Sequence, residues 1–290
     1  MNIRSLLVRL VVKLIATAML LGLSSLTLAQ SAQQKKLLFL TYAGLYAHPS
    51  LADAERVVTK LGQQGGFEVT TLQGYRLAAD EMDLSFITAD YLAQFDGLMM
   101  FTNGNLPMSD AQKQAILDFI DNGGGFVGTH AAVLTFYDYA PFGEMIGGYF
   151  KGAVGQNRIM VLNVEDRTHP ATRMLGPSWP VMDEFYRFGT GVWNADSPEE
   201  NVDELFGLPI PVAFSRDRVN VLLSINTELS DIEGLPVQLG GDYPQAWWRQ
   251  YGDGKVFYTS FGHQAATWNY NQVFQAHLLG GIRWSLGLEQ

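Results

Sequence analysis

The sequence predicts a three-layer α/β fold, a mainly parallel sheet with helices on both faces, and three observations point to it. Short runs such as LLFL (residues 37–40) and GLMMF (97–101) are apolar at every position, as strands covered on both faces must be. Segments with helical spacing of apolar residues alternate with them. With 47% hydrophobic and only 17% charged residues, a chain of 290 residues can bury one large core.

The elements follow in order. Residues 1–29 carry Arg4, Arg9 and Lys13 ahead of an apolar run that ends Thr27-Leu28-Ala29, the pattern of a cleaved secretory signal. An uncleaved membrane anchor is the alternative. The expected product is periplasmic or secreted, with residues 30–290 forming a single domain. Residues 35–42 form the first strand, and residues 51–61 a helix with Ala54, Val57, Val58 and Leu61 on one face. A strand over 67–72, a helix over 89–95 after Thr88, and the strand 97–101 come next. Ser109 and Gln112 have capping-box spacing and open a helix with Ala115, Ile116, Phe119 and Ile120 on its inner face. Residues 126–129 form another strand. Further strands are expected at 158–164, 181–188 and 219–225, separated by loops long enough to build a site. Gly252-Asp253-Gly254 marks a hairpin between strands 245–251 and 255–261. A last helix spans 271–286, where Gly280 and Gly281 read as close packing on the sheet.

Charge and composition exclude several functions. Loss of the leader removes three of 19 basic residues and none of the 29 acidic ones, taking the formal charge from −10 to −13. Binding to nucleic acid, or to an anionic membrane surface after signal cleavage, is therefore not expected, because phosphate neutralisation needs clustered Lys and Arg. The chain has no cysteine, which removes disulfides, thiolate metal sites, a lipid-anchoring thiol and thiol nucleophiles.

GGGFVGTHAA (123–132) satisfies the spelling of a G-x-G-x-x-G dinucleotide turn. That turn must follow a strand and open a helix, whereas here the glycines end a helix and lead into a strand. No nucleotide is expected. Gly123 reads as a left-handed helix cap. What stands out is the strand end, Gly128-Thr129-His130-Ala131-Ala132, where small residues flank one polar side chain as in a nucleophile elbow. His48, in the loop after the first strand, and His263, after the strand 255–261, fall at equivalent strand ends, where open α/β sheets bind ligands. His169, before Pro170, reads as a turn residue, and His277 as part of the core.

Asp183-Glu184 interrupts an otherwise apolar strand, and alternation sends the two to opposite faces, so one at most enters a cleft. Glu184 is the preferred candidate and Asp138 the second choice. Tyr137, Trp247, Trp248 and Trp268 offer flat faces on which sugar rings can stack, with core packing as the alternative for each.

The blocks TYAGLYAH, GGGFVGTHAA, FYDYAPFGEMIGGYFKG, VEDRTHP, MDEFYRF, AWWRQYGDGKVFYTSFGH and HLLGGIRW, in this order, resemble the ThuA-like (trehalose utilisation) family across the mature chain. The resemblance implies the flavodoxin-like fold of class I glutamine amidotransferases. In that superfamily the elbow carries a catalytic Cys and a later strand end carries Gly-His. Here the elbow residue is His130 and the later pair Gly262-His263, so glutaminase chemistry is not expected. Gly-Thr-His replaces the Gly-Val-His of many relatives, and Trp248-Arg249 stands where some carry a small residue and His.

The resemblance implies carbohydrate metabolism, with a sugar as the small-molecule partner. One reading is a hydrolase or lyase acting on a disaccharide or glycoside, in particular its 3-keto form. His130 or His263 then serves as base and Glu184 as its partner or acid, with His48, Tyr137, Asp138, Trp248, Arg249 and Trp268 around the substrate. His130, Glu184 and His263 also make an open site for a divalent, zinc-like metal, and chemistry with or without metal stays open. The other reading is a non-catalytic sugar-binding module. The sequence leaves self-association into a homo-oligomer undecided.

Overall fold

The computed structural model describes residues 34–74, 82–188, 202–205, 208–211 and 214–289; the leader expected over residues 1–29 lies outside them. Lys35–Thr41 (β1) pairs in parallel with Phe67–Gln73 (β2) on one side and with Gly97–Phe101 (β3) on the other. Between β1 and β2 runs Leu51–Gly65 (α1), stopped by Gly66 in the left-handed region at φ 77°. Ala89–Leu92 (α2) is one turn, shorter than its sequence suggests, and Thr88 caps it. A two-residue strand, Asn103–Gly104 (β4), follows β3.

Asp110–Asp121 (α3) opens with the expected capping box between Ser109 and Gln112. Its fully buried stripe is Lys113, Ile116, Leu117 and Ile120, rotated from the expected face, with Ala115 and Phe119 only partly buried. The helix ends in a Schellman motif: Gly124 N–H donates to Phe119 O and Gly123 N–H to Ile120 O, with Gly123 at φ 105°. The glycines therefore close a helix and admit Gly125–Thr129 (β5), parallel to β3. After a 3₁₀ turn over His130–Val133, Leu134–Thr135 (β6) pairs with β4, and Ala140–Ile146 (α4) follows.

The second half is antiparallel. Phe150–Val164 (β7) and Ser178–Phe188 (β8) form a long hairpin, and Val202–Leu205 (β9) pairs with Leu208–Pro211 (β10). Asn220–Ile225 (β11) joins β7 to Pro244–Tyr251 (β12), which turns through Gly252-Asp253 into Gly254–Thr259 (β13). β13 lies parallel to β5. Among the described residues the sheet order is β2-β1-β3-β5-β13-β12-β11-β7-β8, five parallel strands extended by four antiparallel ones.

Ala265–Tyr270 (α5) and Gln272–Ser285 (α6) pack with α1 on one face, and α2, α3 and α4 associate on the other. A Cβ on Gly281 would lie 2.3 Å from the Phe257 ring, so α6 sits directly on β13. His277 is fully buried there, Nδ1–H donating to Ala171 O (2.8 Å) and Nε2 accepting from Thr259 Oγ1 (3.1 Å). His169 shapes its turn by accepting Ala171 N–H at Nδ1. No helix among the described residues is long and apolar enough to cross a membrane.

β7 pairs with β11 only through Leu162, Asn163 and Val164. The rest of the hairpin, bent by register shifts at Phe150/Gly152, Ala153/Gly155 and Gly155/Arg158, is free of the sheet ladder. Gln245 takes the place of the ladder: its Oε1 accepts Tyr186 N–H (3.0 Å) and its Nε2 donates to Tyr186 O (2.8 Å). This grip brings β8 to the carboxyl ends of the parallel strands.

Candidate metal centre

Four side chains from four segments meet at those strand ends. His130 has φ 46°, a left-handed conformation that a side chain adopts only under local constraint, and small buried Ala131 and Ala132 make room for the turn. Its Nδ1 lies 2.7 Å from Ser260 O, which can only accept, so Nδ1 carries the proton and Nε2 presents its lone pair inward. His48 follows β1 in a loop held by Asn103, whose Oδ1 accepts Leu45 and Tyr46 N–H while Nδ2 donates to Tyr46 O. Ser50, at the start of α1, spends its hydroxyl on Gly262 O (2.7 Å) instead of capping the helix, which ties the His48 loop to the His263 loop.

Gly262 has φ 127°, and Trp268 carbon Cζ2 lies 3.0 Å from where its Cβ would stand. A glycine is needed there. Asp183 fixes the same loop from below, Oδ2 accepting Gly262 N–H and Oδ1 accepting His263 N–H, both at 3.0 Å. Along β8, exposed and buried residues alternate up to Met182, and then Asp183, Glu184, Phe185 and Tyr186 are all buried. The strand has left a one-sided position for one covered on both faces. Of the two carboxylates only Glu184 reaches the cavity; Asp183 is fully buried among backbone donors.

His130 Nε2 lies 3.1 Å from His48 Nε2, 3.3 Å from His263 Nδ1 and 3.5 Å from Glu184 Oε2, and His263 Nδ1 lies 3.0 Å from Glu184 Oε2. All four donor atoms fall within 4.8 Å of one another. Ligands roughly 2.0–2.1 Å from a tetrahedral zinc stand about 3.3–3.4 Å apart, so the spacing suits such an ion. Three imidazoles and a carboxylate are also a borderline-soft set that favours zinc-like ions over magnesium or calcium. The buried His/Glu group can hold a metal.

For His48 and His130 the electrostatics agree with ligation by neutral imidazole, whereas His263 is shifted toward its charged form by Glu184. Burial, then the neighbouring His263, lowers His48 to about 4 against the opposing pull of Glu184. Burial and His48 hold His130 well below the usual imidazole range. For His263 burial acts downward, but the hydrogen bond and charge of Glu184 outweigh it and the net shift is upward. Burial raises Asp183 to about 6 despite the backbone donors that stabilise its charge.

The cluster opens into a cavity of about 350 Å³ lined by His48, Glu184, Tyr186 and His263 at one end. Larger hollows of about 570 and 640 Å³ lie elsewhere, the first beside the Lys35–Asp96 pair and the second beside Arg187 and Asp242, and neither includes the cluster. Convergent donor atoms at the strand ends, rather than volume, identify the site.

His130, Glu184 and His263 are brought together, and His48 stands with them as a fourth donor rather than out among sugar hydroxyls. The other expected substrate contacts lie off the cavity, each for a definite reason. Asp138 pairs with Lys113 (3.1 Å), and Tyr137 is buried against Tyr149. Trp248 and Arg249 project from the middle of β12 into the two helical layers, Trp248 onto Trp284 and Arg249 onto Glu144 O. Trp268 is fully buried and donates Nε1–H to Gly262 O (2.9 Å), a support for the His263 loop. Tyr186 was missed. Its hydroxyl lies 2.9 Å from His130 Nε2, and its place two residues after Glu184 on a strand puts it on the same side.

The family described as "ThuA: Trehalose utilisation" matches residues 36–285. No curated protein matches the chain. Among solved structures, a ThuA-like protein from Bacteroides uniformis is similar at TM-score 0.61 and 21% identity, over 89% of this chain and 94% of that one. A ThuA-like protein from Parabacteroides merdae gives TM-score 0.61 and 20% identity, over 89% of this chain and 91% of its own. At these identities the two share the fold.

Proposed function

The chain belongs to the ThuA family of trehalose utilisation, and from that premise we propose that it is a periplasmic enzyme cleaving a glycoside or disaccharide oxidised at C3. The family description suggests a carbohydrate-related role, and the pattern of residues 1–29 supports export. The observation that carries the proposal is the convergence of His48, His130, His263 and Glu184 within 4.8 Å at the mouth of a cavity.

In this reading the three imidazoles hold a zinc-like divalent ion, which when bound polarises the keto and hydroxyl oxygens of the sugar. The proton transfers belong to the chain. A C3 ketone acidifies the neighbouring C2 proton, and Glu184, on the cavity wall, removes it. The electron pair left behind forms the C1–C2 double bond as the C1–O bond to the aglycone breaks. Glu184 returns its proton to the departing oxygen. Tyr186, whose phenol burial keeps protonated, donates a hydrogen bond to the C3 oxygen as charge develops there. Water then adds, hydroxyl to C1 and proton to C2, and the net reaction is hydrolysis.

The test is incubation of the purified mature protein with 3-keto-trehalose and 3-keto-glucosides, with zinc or with chelator. Release of glucose or aglycone, lost with chelator and lost together with bound metal in His263→Ala, is expected. A His263→Ala protein that retains activity and metal sinks the assignment. Binding without release identifies a sugar-binding module instead.

A further inference from the structure

Resting on the reading that this cavity takes a glycoside, we propose that its outer part is an aglycone subsite for an apolar, above all aromatic, group rather than for a second sugar. The polar groups are gathered at one end, around His48, Glu184, His263 and Tyr186. Beyond them the described wall is Leu45, Tyr46, Leu134, Phe150 and Ala153, with Gly152 between the last two. Apart from the hydroxyl of Tyr46, the one further polar side chain on that wall, Asn103, is tied to the backbone of Leu45 and Tyr46. A second sugar ring there would surrender water from its hydroxyls to a surface offering few partners.

The apolar wall is built in two tiers. Leu134 and Phe150 are buried, and the Phe150 ring is fixed edge-on against Tyr186 at 4.5 Å. Leu45 and Tyr46 stand at the rim, 41% and 56% exposed, large apolar side chains held in the open by the Asn103 bonds. Tyr46 lies nearly parallel to His263 at 6.3 Å, so its ring borders the metal cluster as well as the wall. A ligand with a chelating sugar at one end and a flat apolar group at the other matches this division.

The experiment is calorimetric binding of methyl, ethyl, propyl, butyl and phenyl glucosides of both anomers, with trehalose and cellobiose, in their ordinary form to the zinc-loaded mature protein and in their 3-keto form to its zinc-loaded Glu184→Gln variant, which lacks the proposed base. Affinity should rise about fourfold per added methylene until the wall is covered, the equivalent of ~0.8 kcal/mol each. Phenyl glucoside should bind at least tenfold more tightly than either disaccharide. Leu45→Ser, at an exposed loop position, and Phe150→Ser should each reduce the gain per methylene. A flat alkyl series with a disaccharide as the tightest ligand overturns the apolar subsite and leaves the glycoside reading standing. A gain that is unchanged in both variants overturns the assignment of this wall. Binding of none of the compounds overturns the subsite and the glycoside reading together.

Discussion

His277 makes a sharp test of how the core responds to acid, because it is fully buried and its hydrogen bonds go to Ala171 and Thr259 rather than to a proposed metal ligand. Burial lowers its pKa to about 4 from 6.5, against the Ala171 carbonyl, which favours the charged form. Between those values the unfolded chain binds a proton that the folded chain refuses. The stabilisation is therefore complete above pH 6.5 and is lost as the pH falls through 4. The full difference of 2.5 pH units corresponds to roughly 3 kcal/mol, and the linkage relation places about 2 kcal/mol of it between pH 7.5 and 5. In His277→Asn the amide takes over the bond to Ala171, and no titrating group remains. Loss of ring volume costs the variant stability equally at both pH values, so it cancels in the comparison. Urea unfolding of the metal-free proteins should show the stability gap between wild type and variant shrinking by about 2 kcal/mol from pH 7.5 to pH 5. His169, whose charge would also disfavour that of His277, has its own pKa lowered by burial to about 4 and stays neutral in both folded proteins between pH 7.5 and 5. A gap that is the same at both pH values would refute the reasoning.

Two further outcomes follow from packing around the site. Asp183→Asn presents an NH₂ to at least one of the backbone N–H groups that the carboxylate now accepts. Zinc affinity measured by chelator competition should fall roughly 10–100-fold with the far-ultraviolet spectrum unchanged, and unaltered affinity would remove Asp183 from the support of His263. Gly281→Ala forces a methyl against Phe257 and should cost about 1–3 kcal/mol in urea unfolding, so a neutral result would mean that α6 can shift on β13.

Much of this molecule was legible in its sequence because most of the signals are local. The capping box, the glycine stop after Asp121 and the apolar run of β3 each depend on a few neighbouring residues. Three histidines could be picked out because each follows a strand end, and Glu184 because a charge interrupted an apolar strand. The long-range geometry was not legible. Nothing near Trp248 or Arg249 reveals that their strand points them into the helical layers rather than over its end. Asp183 was legible as an anomaly but not as an anchor, since its partners, Gly262 and His263, lie far along the chain. The bend that carries β8 away from the ladder depends on register shifts in its partner strand, which no periodicity in β8 records.

The dispersal of the donors also bears on biogenesis. His48 follows β1, the first strand of the sheet, and His263 follows β13, the last. No fragment that stops short of His263 owns the complete set, so a growing chain can gain ion-binding competence only once its final strand docks. Metal uptake would then serve as a signature of finished folding, and partly assembled chains would not compete for a scarce ion.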